Sequence, residues 1–416
     1  MTRFRLLYVG LVGAGLGLTL VPHAPLGIAA AQAQEADKLR PEVGKPLQKA
    51  QDFVKQHKLP EATAQVREAD AVKNKTAYES FVIEQMRGSI AQAEGDTAAA
   101  AKSYEAQLAS GRVSGAEQTK LVMAVASMSY QAKDYPKAIT WIQRYLKEGG
   151  TDPAMRTLLI SAYYSAGDYA SAGKAQNDQI VAAEKANAKP TEEQLQLLAA
   201  CQTQTKDTAG FAATMEKLVV YYPKKDYWAQ LIHGLQVKPG FSDRLTLDLD
   251  RLQLTVGTLS TSAQYMDMAQ ISLQAGLTGE AKAIVDKGYA AGVLGTGAEA
   301  PRQQRLKDLV TRTATEDQQN MGKGDADAAA AKDGQALLDI GAKYVSYGKF
   351  DKGIPAMEQA IRKDALKHPE DAKLHLGLAY LAAGQKAKAV QMLKTVGGTD
   401  GTAELARLWV LQIGKV

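Results

Sequence analysis

The sequence predicts an all-α solenoid built from antiparallel helix pairs, and two observations lead to this fold class. A pattern of small and aromatic residues returns at a fixed spacing, since Gly341 and Tyr344 are followed thirty-six residues later by Gly377 and Tyr380. Good helix formers fill the intervals between these positions. A period near 34 residues is typical of helix pairs that bury their apolar faces only by stacking on one another.

The turn between the two helices of a pair recurs with the same period. Asp168 and Tyr169 follow a glycine, and Asp134 with Tyr135 repeats the turn thirty-four residues earlier. A glycine here would end the first helix in a left-handed conformation, which costs glycine least. The predicted turn glycines are Gly95, Gly167, Gly276, Gly348 and Gly384.

A small residue at one position of each second helix counts the repeats. This position is occupied by Ala62, Ala100, Ala138, Ala172, Phe211, Ala281, Gly353 and Ala389. The steps are 38, 38, 34, 39, 70, 72 and 36 residues, so degenerate units are predicted near residues 225–260 and 298–332. Phe211 and Gly353 depart from alanine, and Gly353 is expected to loosen its unit. We count about ten pairs, and Thr402 to Ile413 is predicted to cap the open end.

These features resemble the tetratricopeptide repeat, here in an exported bacterial protein. Gly88, Gly341 and Gly377 match the position where the two helices of this repeat approach each other closely. The resemblance implies a right-handed superhelix of antiparallel helix pairs. It also implies that the first helix of each pair lines a concave groove in which partners bind.

The N-terminus is predicted to be a secretory signal peptide. Arg3 and Arg5 form a short basic region, an uncharged apolar run extends from Leu6 to Val21, and residues 31–33 read Ala-Gln-Ala. This order is that of a signal peptide, and we expect cleavage after Ala33 and release into the periplasm of a Gram-negative bacterium. A retained membrane anchor is the alternative, although the run is short and rich in glycine.

The repeats define the predicted domain organisation. Residues 34–297 form an N-terminal block of repeats, 298–333 a degenerate unit with a mobile loop at 322–334, and 334–416 the C-terminal repeats with the capping helix. Residues 241–260 are ambiguous, because Leu245, Leu247 and Leu249 alternate with polar residues as in a strand. Their position between helical units favours a divergent helix.

Composition excludes several classes of function. The formal net charge of +5 falls to +3 when Arg3 and Arg5 are removed, and aromatic residues make up only 6% of the chain. No run of five like charges occurs, so nothing predicts nucleic-acid binding. No second apolar stretch could span a membrane. The single cysteine, Cys201, lies in an apolar segment and is expected to be buried and inert.

No catalytic or metal-binding pattern stands out, so we expect a protein without catalytic activity, cofactor or metal. His368 and His375 lie seven residues apart, but Pro369 separates them and no cysteine accompanies them. Ser171 with Lys174 matches one motif of the penicillin-binding enzymes but lacks the other two.

Two sets of residues are candidates for partner binding. The groove positions that the resemblance implies are Gln85, Ser89, Gln92, Lys120, Met123, Ser127, Tyr130, Thr157, Ser161, Tyr164 and Gln196, with Thr203 beside the last. The second set is an aromatic and cationic cluster that could be a docking patch or could fill a junction between repeats. It consists of Tyr221, Tyr222, Lys224, Lys225, Tyr227 and Trp228.

The leading functional prediction is a scaffold that binds a protein or peptide partner in the cell envelope. Basic residues are scarce among the groove positions, which argues against binding of acidic chain ends. The alternative is a factor for envelope polysaccharide export or assembly, in which Tyr130, Tyr164, Trp141 and Trp228 would stack on sugars.

Overall fold

The computed structural model describes residues 37–363 and 365–414. In this part of the chain the secondary structure consists of 21 α-helices and one short 3-10 helix, with no strand. The predicted all-α fold is therefore confirmed. The predicted signal peptide and its cleavage site lie outside the described residues.

The chain divides into two compact units, with the boundary between Ala166 and Gly167. The described part of unit 1 contains seven helices, and its sequence neighbours α1–α2, α3–α4 and α5–α6 pack against each other as pairs. The helices are α1 (Pro41–Lys55), α2 (Leu59–Asp70), α3 (Ala77–Glu94), α4 (Thr97–Ala109), α5 (Gly115–Gln131), α6 (Tyr135–Lys147) and α7 (Pro153–Ser165).

Unit 2 contains fourteen helices within the described residues. They are α8 (Tyr169–Lys185), α9 (Glu192–Gln204), α10 (Thr208–Tyr221), α11 (Lys225–Gln236), α12 (Thr246–Val256), α13 (Ser262–Gln274), α14 (Thr278–Ala290), α15 (Ala300–Gln319), α16 (Asp325–Ala330), α17 (Gln335–Ser346), α18 (Phe350–Lys363), α19 (Pro369–Ala382), α20 (Lys386–Leu393) and α21 (Thr402–Ile413). Within unit 2 the sequence neighbours α9–α10, α13–α14, α17–α18 and α19–α20 pack against each other as pairs.

Aspartate side chains hold the turns that begin four of the second helices. In each turn the carboxylate accepts a hydrogen bond of 2.8–3.2 Å from the backbone N–H three residues further on. These residues are Asp96, Asp134, Asp168 and Asp207. Each satisfies a backbone donor that would otherwise lack a partner at the start of its helix.

The residue before each of these aspartates adopts a left-handed conformation. Gly95 and Gly167 have φ angles of 77° and 81°, as the turn prediction requires. Lys133 and Lys206 occupy the equivalent positions with φ angles of 62° and 58°. This conformation brings the Cβ of a non-glycine residue close to the following carbonyl oxygen, so both lysines carry a local conformational cost.

Glycine permits the closest approach between α17 and α18. A Cβ on Gly341 would lie 2.7 Å from Cγ of Met357 and 2.9 Å from the carbonyl oxygen of Gly353. A Cβ on Gly353 would lie 2.7 Å from the carbonyl oxygen of Gly341. Gly353 was expected to loosen this unit, but it is buried and allows the two backbones to meet.

Unit 1 has two hydrophobic clusters in its described part. One lies among α1, α2 and α3 and includes Val43, Val66 and Ile83, and the other lies among α4 to α7 and includes Val125 and Ile142. Each cluster draws on consecutive helices, as expected for stacked helix pairs.

Unit 2 also has two clusters, but one of them joins distant parts of the sequence. The larger cluster combines residues of α8 to α12 with residues of α16 to α21, including Leu249 and Trp409. The smaller one lies among α12 to α15 and includes Met268 and Ile284. Helix α21 was predicted only to cap the open end, yet it also packs against α10 and α12.

Within the segment 241–260, residues 243–256 are helical, as the second of the two interpretations predicted. A 3-10 turn at Asp243–Leu245 leads directly into α12. Leu245, Leu247, Asp248 and Leu249 are all buried, because α12 contacts helices on more than one side. Burial of several faces removes the usual period of 3.6 and leaves a pattern that resembles a strand.

The segment 322–334, predicted as a mobile loop, contains the short helix α16. Ala328 joins the larger cluster of unit 2, and the ammonium of Lys363 donates a hydrogen bond of 2.7 Å to the carbonyl oxygen of Ala329. None of the helices in the described ranges combines the length and the hydropathy that a membrane span requires.

Candidate functional site

The predicted groove positions of unit 1 lie on three first helices, and we call them the unit 1 stripe. Its members are Gln85, Ser89 and Gln92 on α3, Lys120, Met123, Ser127 and Tyr130 on α5, and Thr157, Ser161 and Tyr164 on α7. On each helix the spacing places them on one face. All are half-buried or exposed, whereas the residues between them supply the core. Helix α5 contacts α7 directly.

Polar contacts order the stripe on α3. The hydroxyl of Ser89 donates to the carbonyl oxygen of Gln85 at 3.0 Å. The side-chain oxygen of Gln92 accepts a hydrogen bond of 2.6 Å from the hydroxyl of Tyr104, a buried residue of α4. Gln92 is therefore anchored to its own helix pair, and the amide nitrogen of this exposed side chain extends from a fixed position.

On α5, Tyr130 is the largest side chain of the stripe. Its ring is half-buried and lies 5.5 Å from the ring of Tyr135, with an angle of 59° between the planes. Tilted pairs at this separation are favourable for aromatic rings. Val122 and Val125, on the opposite face, are fully buried and anchor the helix. Lys120 is exposed, and among the described residues no carboxylate lies within 4.0 Å of it.

On α7, Thr157 is exposed, and its hydroxyl donates to the carbonyl oxygen of Pro153 at 3.2 Å. Ser161 and Tyr164 are half-buried. Met155 and Ile160 belong to the buried side of the same helix. The stripe thus continues from α5 to α7, and Tyr130 and Tyr164 occupy equivalent places on two adjacent first helices.

Gln196 belongs to unit 2 and is described with that unit. Its amide nitrogen donates to the hydroxyl of Tyr227, and that hydroxyl also donates to Glu192. Burial and the adjacent Glu192 carboxylate raise the pKa of Tyr227 to about 12. Thr203, the penultimate residue of α9, is exposed.

The aromatic and cationic cluster has both buried and exposed members. Trp228 and Tyr227 are only 3% and 8% exposed and form part of the larger unit 2 core. Tyr222 is half-buried, its hydroxyl donates to the carbonyl oxygen of Pro190 at 2.8 Å, and the ammonium of Lys189 lies 3.8 Å from its ring centre. Tyr221 donates to Glu184. The cluster therefore packs α11 against the preceding helices.

The surface that this cluster leaves open is cationic. Lys224 and Lys225 are exposed, and Lys224 forms an ion pair of 2.6 Å with Glu192. Any docking patch here would consist of the lysines and the half-buried Tyr222, while the rings of Tyr227 and Trp228 belong to the core.

The two histidines that were considered as metal ligands have different surroundings. His368 is exposed and precedes α19, whereas Nε2 of His375 lies 3.0 Å from a carboxylate oxygen of Asp248. Within the described ranges no group of three or more histidine, cysteine or acidic side chains could hold a metal ion.

His375 belongs to a partly buried ion network that the sequence did not predict, formed with the buried Asp248 and the half-buried Arg251 and Glu280. The guanidinium of Arg251 donates to both carboxylate oxygens of Glu280 at 2.7 and 2.6 Å and to Asp248 at 2.5 Å. Burial disfavours the charged form of Asp248, but His375 and Arg251 outweigh it and lower its pKa to about 2. The network connects α12, α14 and α19.

Beside this network, unit 2 contains a cavity of about 630 Å³ that the sequence analysis also missed. Its wall is formed by side chains from α12, α13, α14, α17, α18, α19, α20 and α21. The available signal was weak, because Asp248 and Arg251 are two of five charged residues in segment 241–260, and nothing in the sequence distinguishes them from the other three.

Cys201 is buried as predicted, and burial raises the pKa of its thiol to about 11. A thiol with this pKa is almost entirely protonated at neutral pH and is a poor nucleophile.

The chain matches one family model and several solved structures. The tetratricopeptide repeat model matches residues 86–153, which extend from α3 to the start of α7, and residues 338–396, which cover α17 to α20. No curated protein matches the sequence. Among solved structures it is similar to Naa15/Naa10 bound to HypK-THB, with 18% identity over 91% of this chain and a TM-score of 0.33. The chain spans 60% of the length of that protein.

Two further similar structures contain yeast proteins. The TPR2AB domain of yeast Sti1 in complex with pHSP90 is 13% identical over 72% of this chain and 95% of its own, with a TM-score of 0.23. Yeast Tom70 is 12% identical over 92% of this chain and 96% of its own, also with a TM-score of 0.23. The family match and the packed helix pairs show tetratricopeptide repeats in these two parts of the chain, residues 86–153 and 338–396.

Proposed function

We propose that the protein is a non-catalytic scaffold of the bacterial periplasm that binds an envelope protein along the unit 1 stripe. The tetratricopeptide-repeat fold is consistent with a scaffold for protein–protein interaction. In the stripe, the first helices α3, α5 and α7 of unit 1 each carry a row of exposed and half-buried side chains.

The observation that carries this proposal is the difference in burial between the two faces of α5. Val122 and Val125 on one face of the helix are fully buried, while the other face carries the exposed Lys120 and the half-buried Tyr130, with Met123 partly packed against the core. A rigid helix with an anchored side can offer its remaining side chains to a partner at low entropic cost. Tyrosine suits the centre of such an interface because it has a large apolar face and a hydroxyl group.

The charge of the stripe indicates the chemistry of the partner. Lys120 is its only charged member, and the others are amides, hydroxyls, one thioether and two tyrosines. A partner segment with hydroxyl, amide and apolar side chains would pair with these groups without burying an uncompensated charge. A strongly acidic or basic segment would lose hydration without gaining enough ion pairs.

Site-specific photo-crosslinking in cells tests the binding surface. A photoreactive phenylalanine analogue replaces Lys120 or Thr157 on the stripe, and matched controls carry it at Lys102 or Thr140, which are exposed on second helices of unit 1. We expect one protein adduct of the same mass from both stripe positions and none from the controls. Equal adducts from all four positions, or none from the stripe, would contradict the proposal. A polydisperse adduct that reacts with glycan stains would support the polysaccharide alternative.

Location is tested separately from binding. The proposal requires that the chain recovered from the periplasmic fraction begins at Gln34, as the sequence of the N-terminal region predicts. Protein that retains Met1 and remains in washed membranes would refute export as a periplasmic protein, whatever the outcome of the crosslinking.

A further inference from the structure

The cavity of unit 2 lies between the two hydrophobic clusters of that unit. Met357, Trp409 and Ile413 of its wall belong to the larger cluster, and Met268 and Ile284 belong to the smaller one. Its volume of about 630 Å³ is within the range of pockets that hold small ligands. The cavity is bounded by residues whose positions are fixed by core packing.

Carbon atoms form most of the cavity wall. Fourteen of the 22 residues that line it are apolar, and several of these, among them Leu378, Leu381 and Val345, are half-buried. Trp409 is 3% exposed, and its indole nitrogen is buried without a hydrogen-bond partner among the described residues. An apolar ligand would remove the half-buried side chains from water and would therefore bind through the hydrophobic effect.

The acidic groups of the cavity are already neutralised. Glu280 is the only carboxylate on the wall, and both of its oxygens accept hydrogen bonds from Arg251. Asp248, just behind the wall, contacts Arg251 and His375. A cationic ligand would have to compete with these contacts.

Two lysines give the cavity an excess of positive charge. Lys287 on α14 and Lys386 at the start of α20 both line it and are exposed. In the part of the chain that the structure describes, every ion pair within 4.0 Å involves other residues, so neither ammonium has a carboxylate partner. The positive charge of Arg251 cancels one of the two carboxylates that it contacts, Asp248 or Glu280. The positive charges of the two lysines therefore exceed the negative charge of the other carboxylate.

We propose that this cavity binds a single-chain fatty acid, with the alkyl chain between the two clusters and the carboxylate near Lys287 and Lys386. The apolar wall matches the chain, and the excess positive charge matches the head group. A peptide fits less well, because its backbone would bring many N–H and C=O groups to a wall that has few polar partners for them. This site is independent of the unit 1 stripe and of the function proposed for it.

Isothermal titration calorimetry at pH 8 with octanoate, nonanoate and decanoate measures the contribution of the chain. Each added methylene that becomes buried should raise the affinity about fourfold. Decanol and decyltrimethylammonium have the same chain with a neutral and a cationic head. Decanoate should bind roughly two- to tenfold more tightly than decanol, since exposed ion pairs contribute modestly, and the cation should bind most weakly.

Two pairs of variants locate the site. Ala283→Phe fills the cavity from an exposed position on α14, and Ala263→Phe places the same ring on α13 outside the wall. The first should reduce decanoate affinity at least tenfold and the second should not. Lys287→Gln with Lys386→Gln should abolish the preference for decanoate over decanol. The matched double variant Lys349→Gln with Lys367→Gln, at exposed lysines away from the wall, should retain it.

Hydrogen exchange gives a readout that does not depend on any variant. Saturating decanoate should slow exchange in α14, α19 and α21 and leave the helices of unit 1 unchanged. The proposal is wrong if decanoate does not bind, if decanol binds equally well, or if the protected helices lie outside the cavity wall. It is also wrong if anionic phospholipid vesicles bind unit 2 while decanoate does not.

Discussion

Asp248 and Asp250 lie two residues apart on α12, and we predict that the same substitution has opposite effects on stability at the two positions. Asp248 is 2% exposed and contacts Arg251 and His375. Asp250 is half-buried, and burial together with Asp267 raises its pKa to about 6. Asp248→Asn should therefore destabilise the protein at neutral pH, and Asp250→Asn should stabilise it.

The magnitude for Asp248 follows from its pKa shift. Its pKa falls from 3.8 to about 2 on folding, and one pKa unit corresponds to about 1.4 kcal/mol, so the carboxylate contributes about 2.5 kcal/mol at pH 7. Because the folded-state pKa is lowered, this contribution is present above the unfolded-state pKa. It is lost as the pH falls from about 5 to 2. Asp248→Asn should remove both the contribution and this part of the pH dependence.

The sign is reversed for Asp250. Its pKa rises on folding from 3.8 to about 6, so the folded state binds the proton more tightly and is favoured at low pH. That advantage is complete below the unfolded-state pKa and disappears as the pH rises through 6, where the charged carboxylate is buried near Asp267. Asp250→Asn should have little effect at pH 4 and should stabilise by about 1–3 kcal/mol at pH 7.5.

Hydrogen exchange of the amides of α12, measured with urea unfolding between pH 3.5 and 7.5, distinguishes these effects from changes elsewhere in the chain. Local opening free energies are appropriate because repeat proteins can open in parts. Wild-type α12 should lose protection as the pH rises from 4 to 7, and Asp250→Asn should abolish that loss. If both substitutions shift the opening free energy in the same direction at pH 7.5, the electrostatic reasoning is refuted.

Three further predictions concern the stripe and the repeat geometry. Replacing both Tyr130 and Tyr164 by alanine should weaken partner binding by about 1–3 kcal/mol, measured by titration with the partner protein that crosslinking identifies. The melting temperature should change little. A large loss of stability with unchanged affinity would place these rings in the core. Lys133→Gly and Lys206→Gly should each stabilise by about 0.5–1 kcal/mol in urea unfolding, because relief of the left-handed strain exceeds the entropic cost of glycine. Gly341→Ala should destabilise by about 1–3 kcal/mol in the same assay, because its Cβ would meet the backbone of α18.

Local features of the fold were predictable from the sequence because local chemistry determines them. The left-handed turns need glycine or a tolerated substitute, and the following aspartates cap helices from a fixed distance in the chain. The helical nature of residues 243–256 could be inferred only from their position between repeats. Alternation of Leu245, Leu247 and Leu249 reflects burial on several sides, which depends on helices that are distant in sequence.

For the candidate sites, the sequence contained one signal that the first interpretation did not use. Trp228, Ile232 and Leu235 follow helical spacing and are all buried, so periodicity alone places the tryptophan ring in the core. The cavity offered no comparable signal. Its wall brings Arg251 together with Trp409, and unit 2 closes through contacts such as Arg244 with Asp400, which are 156 residues apart. A repeat period describes neighbours and does not predict such contacts.

We interpret the ion network of Asp248, Arg251, Glu280 and His375 as a feature that selects how the helices of unit 2 pack. Apolar residues of similar volume often stabilise a protein as much as a buried ion network does, because desolvation offsets the attraction between the charges. A wrongly placed carboxylate, in contrast, costs several kcal/mol. If α19 shifted by one turn against α12, the buried Asp248 would keep Arg251 on its own helix but would lose His375, one of its two partners. The network thus favours one arrangement of α12, α14 and α19, and that arrangement creates the cavity beside them.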